Sequence, residues 1–111
     1  MWIFTKEGFF SAVKDDYCEA DELMIRARWK KDLIRLAERI GSKAEILTIG
    51  HADYRYRMAI KREAWVGYVA RAAMEIDYSN VKGTIAHGDH ERSRAYMGCW
   101  HSLYQAQDVD H

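Results

Sequence analysis

The sequence predicts an α+β fold, a ferredoxin-like two-layer sandwich in which helices cover one face of an antiparallel sheet. Three observations support this class: apolar and charged residues alternate in several short segments, three other segments have helical spacing, and the central order is strand–helix–strand–strand–helix. The chain has 111 residues, 49% of them hydrophobic, which suits one domain with a core. We therefore expect residues 1–111 to form a single domain with a sheet of four or five strands.

The N-terminal segment has the pattern of a β-hairpin. Residues 2–5 are a short apolar strand, residues 6–8 end in a glycine that suits a turn, and residues 9–14 return as a second strand. After an acidic loop at residues 15–22, residues 23–30 have the pattern of a half-buried strand, with apolar and basic side chains alternating from Ile25 onward.

The spacing of apolar residues then changes from that of a strand to that of a helix. A stripe at positions i, i+3, i+4 and i+7 predicts a helix that ends at Gly41. The stripe consists of Leu33, Leu36, Ala37 and Ile40. Residues 45–49 and 54–61 follow as two strands, joined by a turn at residues 50–53.

Two further helices are predicted in the second half of the chain. A turn at residues 77–80 separates them and leads into a short helix over residues 81–87, capped by Ser79 or Asn80. Asp89 is expected to cap the last helix. The helix before the turn has its apolar stripe at Trp65, Tyr68, Val69, Ala72 and Ile76. The last helix of the chain has its stripe at Tyr96, Cys99, Trp100, Leu103 and Tyr104.

The central segments make up most of a split βαβ unit, whose usual last strand is missing. We expect the N-terminal hairpin to fill that edge of the sheet. With the helices packed on one face, the other face of the sheet is left open.

Basic residues are predicted to gather on this open face. Alternation places Arg26 and Arg28 opposite the apolar residues of one central strand, and Arg55 and Arg57 opposite those of its neighbour. Like charges on paired strands repel, and guanidinium groups suit phosphate or carboxylate. In this register the rings of Tyr54 and Tyr56 face the helices, whereas a shift of one residue would expose them.

Three interpretations of the arginines stay open. They are solvated outer positions of a one-sided sheet, a surface covered by a second subunit or by the acidic loop, or a dedicated anion site. Trp2 and Phe4 are expected beside them, as an apolar rim or as half of a dimer contact.

Other chemistry has weaker support. His87, Asp89, His90 and Glu91 cluster near the last helix, but a capping role explains Asp89 more simply than a metal site does. Cys99 is expected in the core, and Cys18 lies among acids that would raise its pKa. The chain has no phosphate-binding loop and no dinucleotide fingerprint. We expect no cofactor, no metal and no catalytic residue, and the sequence does not favour an enzyme.

Charge and composition restrict the partners and the location. Seventeen basic residues balance seventeen acidic ones, and a neutral chain is untypical of a duplex DNA binder. No apolar run reaches the length of a membrane span, the N-terminal residues do not resemble a signal peptide, and two cysteines are too few for a disulfide framework. We expect a cytoplasmic protein without a membrane partner.

Four segments resemble a small family of uncharacterised bacterial proteins. They are MWxxTxxGFFS at residues 1–11, residues 23–28, ADYRYR at residues 52–57 and EIDYSNxK at residues 75–82, and the resemblance extends to about residue 104. It implies no known activity. The family commonly has a histidine where Met97 follows Tyr96, so a catalytic or metal role at that position is not implied here. The recurrent polar positions of the family correspond to Arg26, Arg28, Asp53, Tyr54, Arg55, Tyr56, Arg57, Asp77, Tyr78, Ser79, Asn80 and Lys82.

The expected function is a non-enzymatic binding module for an anionic small molecule, such as a nucleotide or a nucleotide signal. The alternatives are a protein-interaction or inhibitor module, a homodimeric ferredoxin-like enzyme with a pocket between two sheets, and a binder of single-stranded nucleic acid. The expected ligand-binding residues are Arg26, Arg28, Arg55, Arg57, Tyr54, Tyr56, Tyr78, Ser79, Asn80 and Lys82.

Overall fold

Strands and helices alternate along residues 1–108, the part of the chain that the computed structural model describes. The strands are β1 (Trp2–Phe4), β2 (Phe9–Val13), β3 (Glu22–Ala27), β4 (Leu47–Thr48) and β5 (Tyr56–Lys61). The helices are α1 (Lys30–Ile40), α2 (Arg62–Met74) and α3 (His90–Gln107), with a short 3₁₀ helix at Val81–Thr84. The predicted α+β class and the N-terminal hairpin are confirmed.

The described strands form one antiparallel sheet in the order β1-β2-β3-β5-β4. The helix α1 connects β3 to β4, and β5 lies between these two strands, which is the split βαβ arrangement. On the other side of β3 lies β2. The N-terminal hairpin therefore fills the edge that the sequence left vacant, as expected.

One face of the sheet packs against α1 and α2, and we call it the helix face. Ile25 from β3 and Met58 from β5 are fully buried there, together with Leu33 and Leu36 from α1. Burying each such aliphatic side chain contributes about 1.5–3 kcal/mol, so this layer supplies much of the driving force for folding. We call the opposite face of the sheet the arginine face.

The first helix ends where its sequence predicts. Gly41 adopts a left-handed conformation with φ of 66°, and the backbone N–H of Ser42 donates to the carbonyl of Ala37 at 2.9 Å. This pairing satisfies a carbonyl that the helix end would otherwise leave free. At the other end α1 begins at Lys30, before its apolar stripe. The strand β3 stops at Ala27, and Trp29 takes the N-cap position with an extended backbone and no side-chain capping bond.

The contacts divide the chain into two compact units. Met1–Ile76 contains the sheet, α1 and α2, and the second unit begins at Asp77 and contains the 3₁₀ helix and α3. Within the second unit, the Asn80 side chain accepts a hydrogen bond from the backbone N–H of Lys82 at 2.9 Å, and that of Asp89 accepts one from Arg92 at 3.2 Å. Both side chains are thus helix caps, as the sequence indicated.

The apolar stripe predicted for the last helix is mostly exposed. Of its members only Tyr96 is buried, whereas Trp100 and Leu103 are 45% and 71% exposed. Cys99 is exposed too, so its assignment to the core was wrong. Ile76, assigned to the stripe of α2, lies beyond the end of that helix and is exposed. Helical spacing identifies which residues share a face but not whether another element covers that face. No helix within residues 1–108 combines the length and the apolar character needed to cross a membrane.

Candidate anion-binding site

Tyr54 lies at the centre of a group of arginines. The sequence predicts that its ring faces the helices, and this prediction was wrong. The strand β5 begins at Tyr56, so the alternation of that strand does not extend to Tyr54. The Tyr54 side chain is 3% exposed, and its ring lies against the guanidinium groups of Arg26 and Arg28 instead of joining the core on the helix face. A bend before β5 breaks the period of two and turns the ring to the arginine face.

Arg26 is held on the arginine face by its cross-strand neighbours. In the strand register it lies opposite Ser11 on one side and Arg57 on the other. Its Nη2 donates to Ser11 Oγ at 2.8 Å, and its Cζ lies 4.4 Å from the centroid of the Tyr54 ring. Its Nε is buried and makes no hydrogen bond with any described residue. Arg26 is therefore oriented, but it keeps donor capacity.

Arg28 follows β3 and reaches the same tyrosine from an exposed position. Its Cζ lies 4.3 Å from the ring centroid of Tyr54, and its Nη1 donates to the backbone carbonyl of Asp53 at 2.7 Å. Two cations thus lie close to one aromatic ring, a contact worth about 0.5–1 kcal/mol for an exposed cation.

Arg57 completes the group from β5. Its Nε donates to the backbone carbonyl of Tyr54 at 3.3 Å, and its Nη2 lies 3.8 Å from Oδ1 of Asp53. One fifth of the Arg57 side chain is exposed. We refer to Arg26, Arg28 and Arg57, gathered around Tyr54, as the arginine cluster.

The cluster carries more positive charge than its surroundings neutralise. Among the described residues, Asp53 is the only acid within ion-pair distance of any of its arginines, and the Asp53 side chain is itself 70% exposed. Arg26 and Arg57 are directly paired like charges, which destabilises the sheet unless an anion lies between or above them. Such a group can bind a phosphate or a carboxylate through charge-assisted hydrogen bonds.

The acidic loop binds other cations than those of the cluster. Asp21 Oδ2 accepts a hydrogen bond from Lys61 Nζ at 2.9 Å, and this bond holds the pKa of the Asp21 carboxyl below its usual value. Lys14 Nζ donates to the carbonyls of Glu19 and Glu22. Within residues 1–108, no acid of residues 15–22 makes an ion pair with the arginine cluster, so the acidic loop does not neutralise it. Coverage of the cluster by a second subunit stays a prediction.

Two residues expected at the site lie outside the cluster. The Arg55 side chain is exposed. The backbone carbonyl of Arg55 accepts a hydrogen bond from the backbone N–H of Ile49 at 2.7 Å. Tyr56 packs on the helix face beside the core, the orientation that the sequence predicted, and it is therefore directed away from the arginines.

The remaining expected residues belong to the second unit. Asn80 caps the 3₁₀ helix, Ser79 is exposed and Tyr78 is half-buried. Lys82 Nζ lies 4.5 Å from the centroid of the Trp100 ring and donates to Met97 Sδ at 3.4 Å. The described contacts of the Lys82 ammonium group are thus with α3.

Aromatic residues line the arginine face next to the cluster. Trp2 lies opposite Ser11, and Phe4 lies opposite Phe9. The rings of Phe4 and Phe9 are 4.6 Å apart, and Trp2 meets Phe9 edge-on at 6.3 Å. The expectation that Trp2 and Phe4 lie on the same face of the sheet as the arginines is confirmed, and their role as an apolar rim or a dimer contact stays a prediction. Phe9 and Ser11 were missed, although they alternate with the core residues Phe10 and Ala12 and could have been placed by that pattern.

Other reactive features lie apart from the cluster. A pocket of about 350 Å³ is lined mainly by apolar residues, including Met1, Trp65 and Val66, and contains no member of the cluster. Partial burial is the main cause that raises the pKa of the Cys18 thiol; a hydrogen bond with the Asp15 backbone opposes it, and the Asp15 side chain adds to it. Within the described residues, no three His, Cys, Asp or Glu side chains are grouped to hold a metal ion.

No family model, curated protein or solved structure matches the chain. The geometry of the arginine cluster is therefore what supports a function.

Proposed function

We propose that the protein is a non-enzymatic binding module for an anionic small molecule such as a nucleotide, and that the arginine cluster holds its phosphate groups. The observation that supports this function is the convergence of three guanidinium groups on one buried tyrosine. Within residues 1–108 their one carboxylate counter-charge is the exposed Asp53, 3.8 Å from Arg57.

Guanidinium chemistry favours phosphate among the anions. An arginine presents five N–H donors in a planar fork that matches two oxygens of one phosphate. Arg28 uses one of these donors in a described hydrogen bond, and Arg26 likewise uses one. The unused donors of the exposed Arg28 are available to phosphate oxygens, whereas the Nε of Arg26 is buried and reaches a ligand only if the side chain moves.

Tyr54 prepares the cluster for binding. Ordering a free arginine side chain on binding costs about 0.5–1.5 kcal/mol. Here the Tyr54 ring and the adjacent carbonyls already restrict Arg26, Arg28 and Arg57, so part of that cost is met during folding.

Calorimetric titration with a nucleoside triphosphate tests the proposal. We expect Arg57→Gln to weaken binding by about tenfold or more, because a hydrogen bond to a charged group contributes about 1.5–3 kcal/mol. The matched control is Arg62→Gln, which removes the same charge from the exposed start of α2, on the other side of the sheet. Failure of the wild type to bind, or equal losses in Arg57→Gln and Arg62→Gln, would contradict the proposed function.

The stability of the unliganded variant separates binding from folding. Arg57→Gln removes a hydrogen bond to Tyr54 but also relieves the repulsion from Arg26. We expect its free energy of unfolding to stay within about 1 kcal/mol of the wild type, so a loss of binding reflects the site itself.

A further inference from the structure

We infer that the ligand of the arginine cluster carries a nucleobase and that this base stacks on Trp2. The inference rests on the proposed function, since it takes the phosphate groups to be bound by the cluster. It names the class of ligand: a base joined to phosphates, and not an inorganic phosphate or a simple carboxylate.

A single row of residues connects Trp2 to the arginines. The strand register pairs Trp2 with Ser11, Ser11 with Arg26, and Arg26 with Arg57, so all four lie on the arginine face of the sheet. Because neighbouring strands are about 4.8 Å apart, the backbone at Trp2 is about 10 Å from that at Arg26 and about 14 Å from that at Arg57. These separations suit a ligand with a base at one end and more than one phosphate, or a second nucleotide, at the other.

Ser11 lies between the indole and the cluster in this row and is fully buried, so its neighbours form the surface above it. It is a small residue, and its hydroxyl accepts the hydrogen bond from Arg26 Nη2 at 2.8 Å. The Arg26 guanidinium is therefore directed across β2 toward the strand that carries Trp2. A bulky side chain at this position in the row would separate the two groups.

The Trp2 ring combines an accessible surface with a fixed support. It is 73% exposed, although tryptophan is usually largely buried. The Phe9 ring supports it edge-on at an interplanar angle of 71°, and Phe9 in turn packs on Phe4. An exposed indole held in this way is the platform that stacks bases of any identity, while arginines beside it bind the phosphates.

Two probes with the same phosphate groups test whether the base contributes. A nucleoside triphosphate carries a base, and tripolyphosphate does not. We expect Trp2→Ala to weaken triphosphate binding between about fivefold and about 150-fold, the range that loss of one base–aromatic stack produces, and to change tripolyphosphate binding by less than about twofold. Trp2→Phe should retain most of the affinity, and Trp100→Ala, which removes an exposed tryptophan of α3, should retain all of it.

The outcomes separate this inference from the proposed function. If the wild type binds neither probe, the proposed function fails and the inference fails with it. If tripolyphosphate binds in a manner that depends on Arg57 and Trp2→Ala leaves triphosphate binding unchanged, the cluster binds anions but the base does not stack on Trp2. Equal losses on both probes also overturn the inference, because they indicate a general disturbance of the sheet.

Short oligothymidylates distinguish the two sources of such a ligand. Affinity that increases with oligonucleotide length indicates single-stranded nucleic acid, and affinity no greater than that for the free triphosphate indicates a free nucleotide. Either result is consistent with a base stacked on Trp2 if Trp2→Ala weakens the binding of the preferred probe. Unchanged binding of that probe would overturn the inference.

Discussion

Asp32 shows how a single side chain fixes the start of the sheet. It is a fully buried carboxylate in the first turn of α1, and it accepts a hydrogen bond from the backbone N–H of Phe9 at 3.2 Å. Arg35 Nη1 lies 3.9 Å from it. Burial of a charge requires such partners, so Asp32 ties the beginning of β2, and with it the arginine face, to α1.

Gly8 is required by the same contact. A Cβ atom at this position would overlap the carboxyl group of Asp32, so we expect Gly8→Ala to lower the free energy of unfolding by about 1–3 kcal/mol. Gly67→Ala is the matched control. Gly67 lies in the interior of α2, and a Cβ atom there would have no neighbouring atom within 4 Å, so this substitution should raise the free energy of unfolding by about 0.5–1 kcal/mol. Urea unfolding measures both variants, and a Gly8→Ala protein as stable as the wild type would contradict the expectation.

The residues of the candidate site differ in how well the sequence predicted them. Arg26 and Arg57 were placed correctly because each lies inside a strand whose alternation is regular. The prediction for Tyr54 was wrong because this residue precedes its strand, in a bend where side chains do not alternate between the two faces. The contact between Arg28 and the Asp53 carbonyl depends on that bend, so residue spacing could not predict it.

At the scale of elements, a hydrogen-bonded tyrosine joins α2 to the turn between β1 and β2. The Tyr68 hydroxyl donates to Glu7 Oε1 at 2.6 Å and lies 2.7 Å from Thr5 Oγ1. Burial is the main cause that raises the pKa of Tyr68 well above its ordinary value, and the hydrogen bond to Glu7 is the second. The neutral phenol is therefore the form that the folded protein favours.

This shift predicts how stability changes in alkali. Below a pH of about 10 the Tyr68 hydroxyl is protonated in both the folded and the unfolded chain, and its contribution is fully present. Above that pH the unfolded chain releases the proton first, so the contribution is lost by about 1.4 kcal/mol per pH unit. We expect the stability difference between wild type and Tyr68→Phe, measured by urea unfolding at pH 9 and pH 11, to fall accordingly. Parallel pH profiles for the two proteins would contradict this role of Tyr68.

Element boundaries were predictable where local chemistry sets them. Gly41 ends α1 through its own left-handed conformation, and Asp89 begins α3 through its own side chain. The exposure of Trp100 and Leu103 was not predictable, because it depends on which surfaces meet α3 and not on the helix itself. The split βαβ order was predictable, because adjacent strands and their connecting helix follow one another along the chain.

At the scale of the whole molecule, the zero net charge makes the candidate site a local feature. Seventeen positive and seventeen negative side chains cancel, so no long-range field attracts polyanions in general. Under the proposed function, a ligand would meet the positive charge of the arginine cluster, whose one described carboxylate neighbour is Asp53.

Salt dependence tests this localisation. Raising the salt from 0.1 M to 1 M shortens the Debye length from about 10 Å to about 3 Å, and we expect this change to weaken nucleoside triphosphate binding by about tenfold or more. Duplex DNA at the same concentration as the triphosphate should not bind measurably at 0.1 M salt, because a protein of zero net charge lacks the basic surplus that duplex binding usually requires. Fluorescence anisotropy measures both, and duplex binding as strong as that of the triphosphate would show that a broader surface is involved.

The place of β2 beside β3 has a consequence for how the chain tolerates change. In the usual split βαβ unit the strand at this edge follows the other elements of the unit, and here β2 precedes them, so the sheet is related to that unit by a permutation of strand order. Within residues 1–108, every backbone pair of the sheet is complete by Lys61. Insertions or deletions after α2 therefore need not alter the register of any strand, and evolution can vary the length of that region while the spacing between Trp2 and the arginines is preserved.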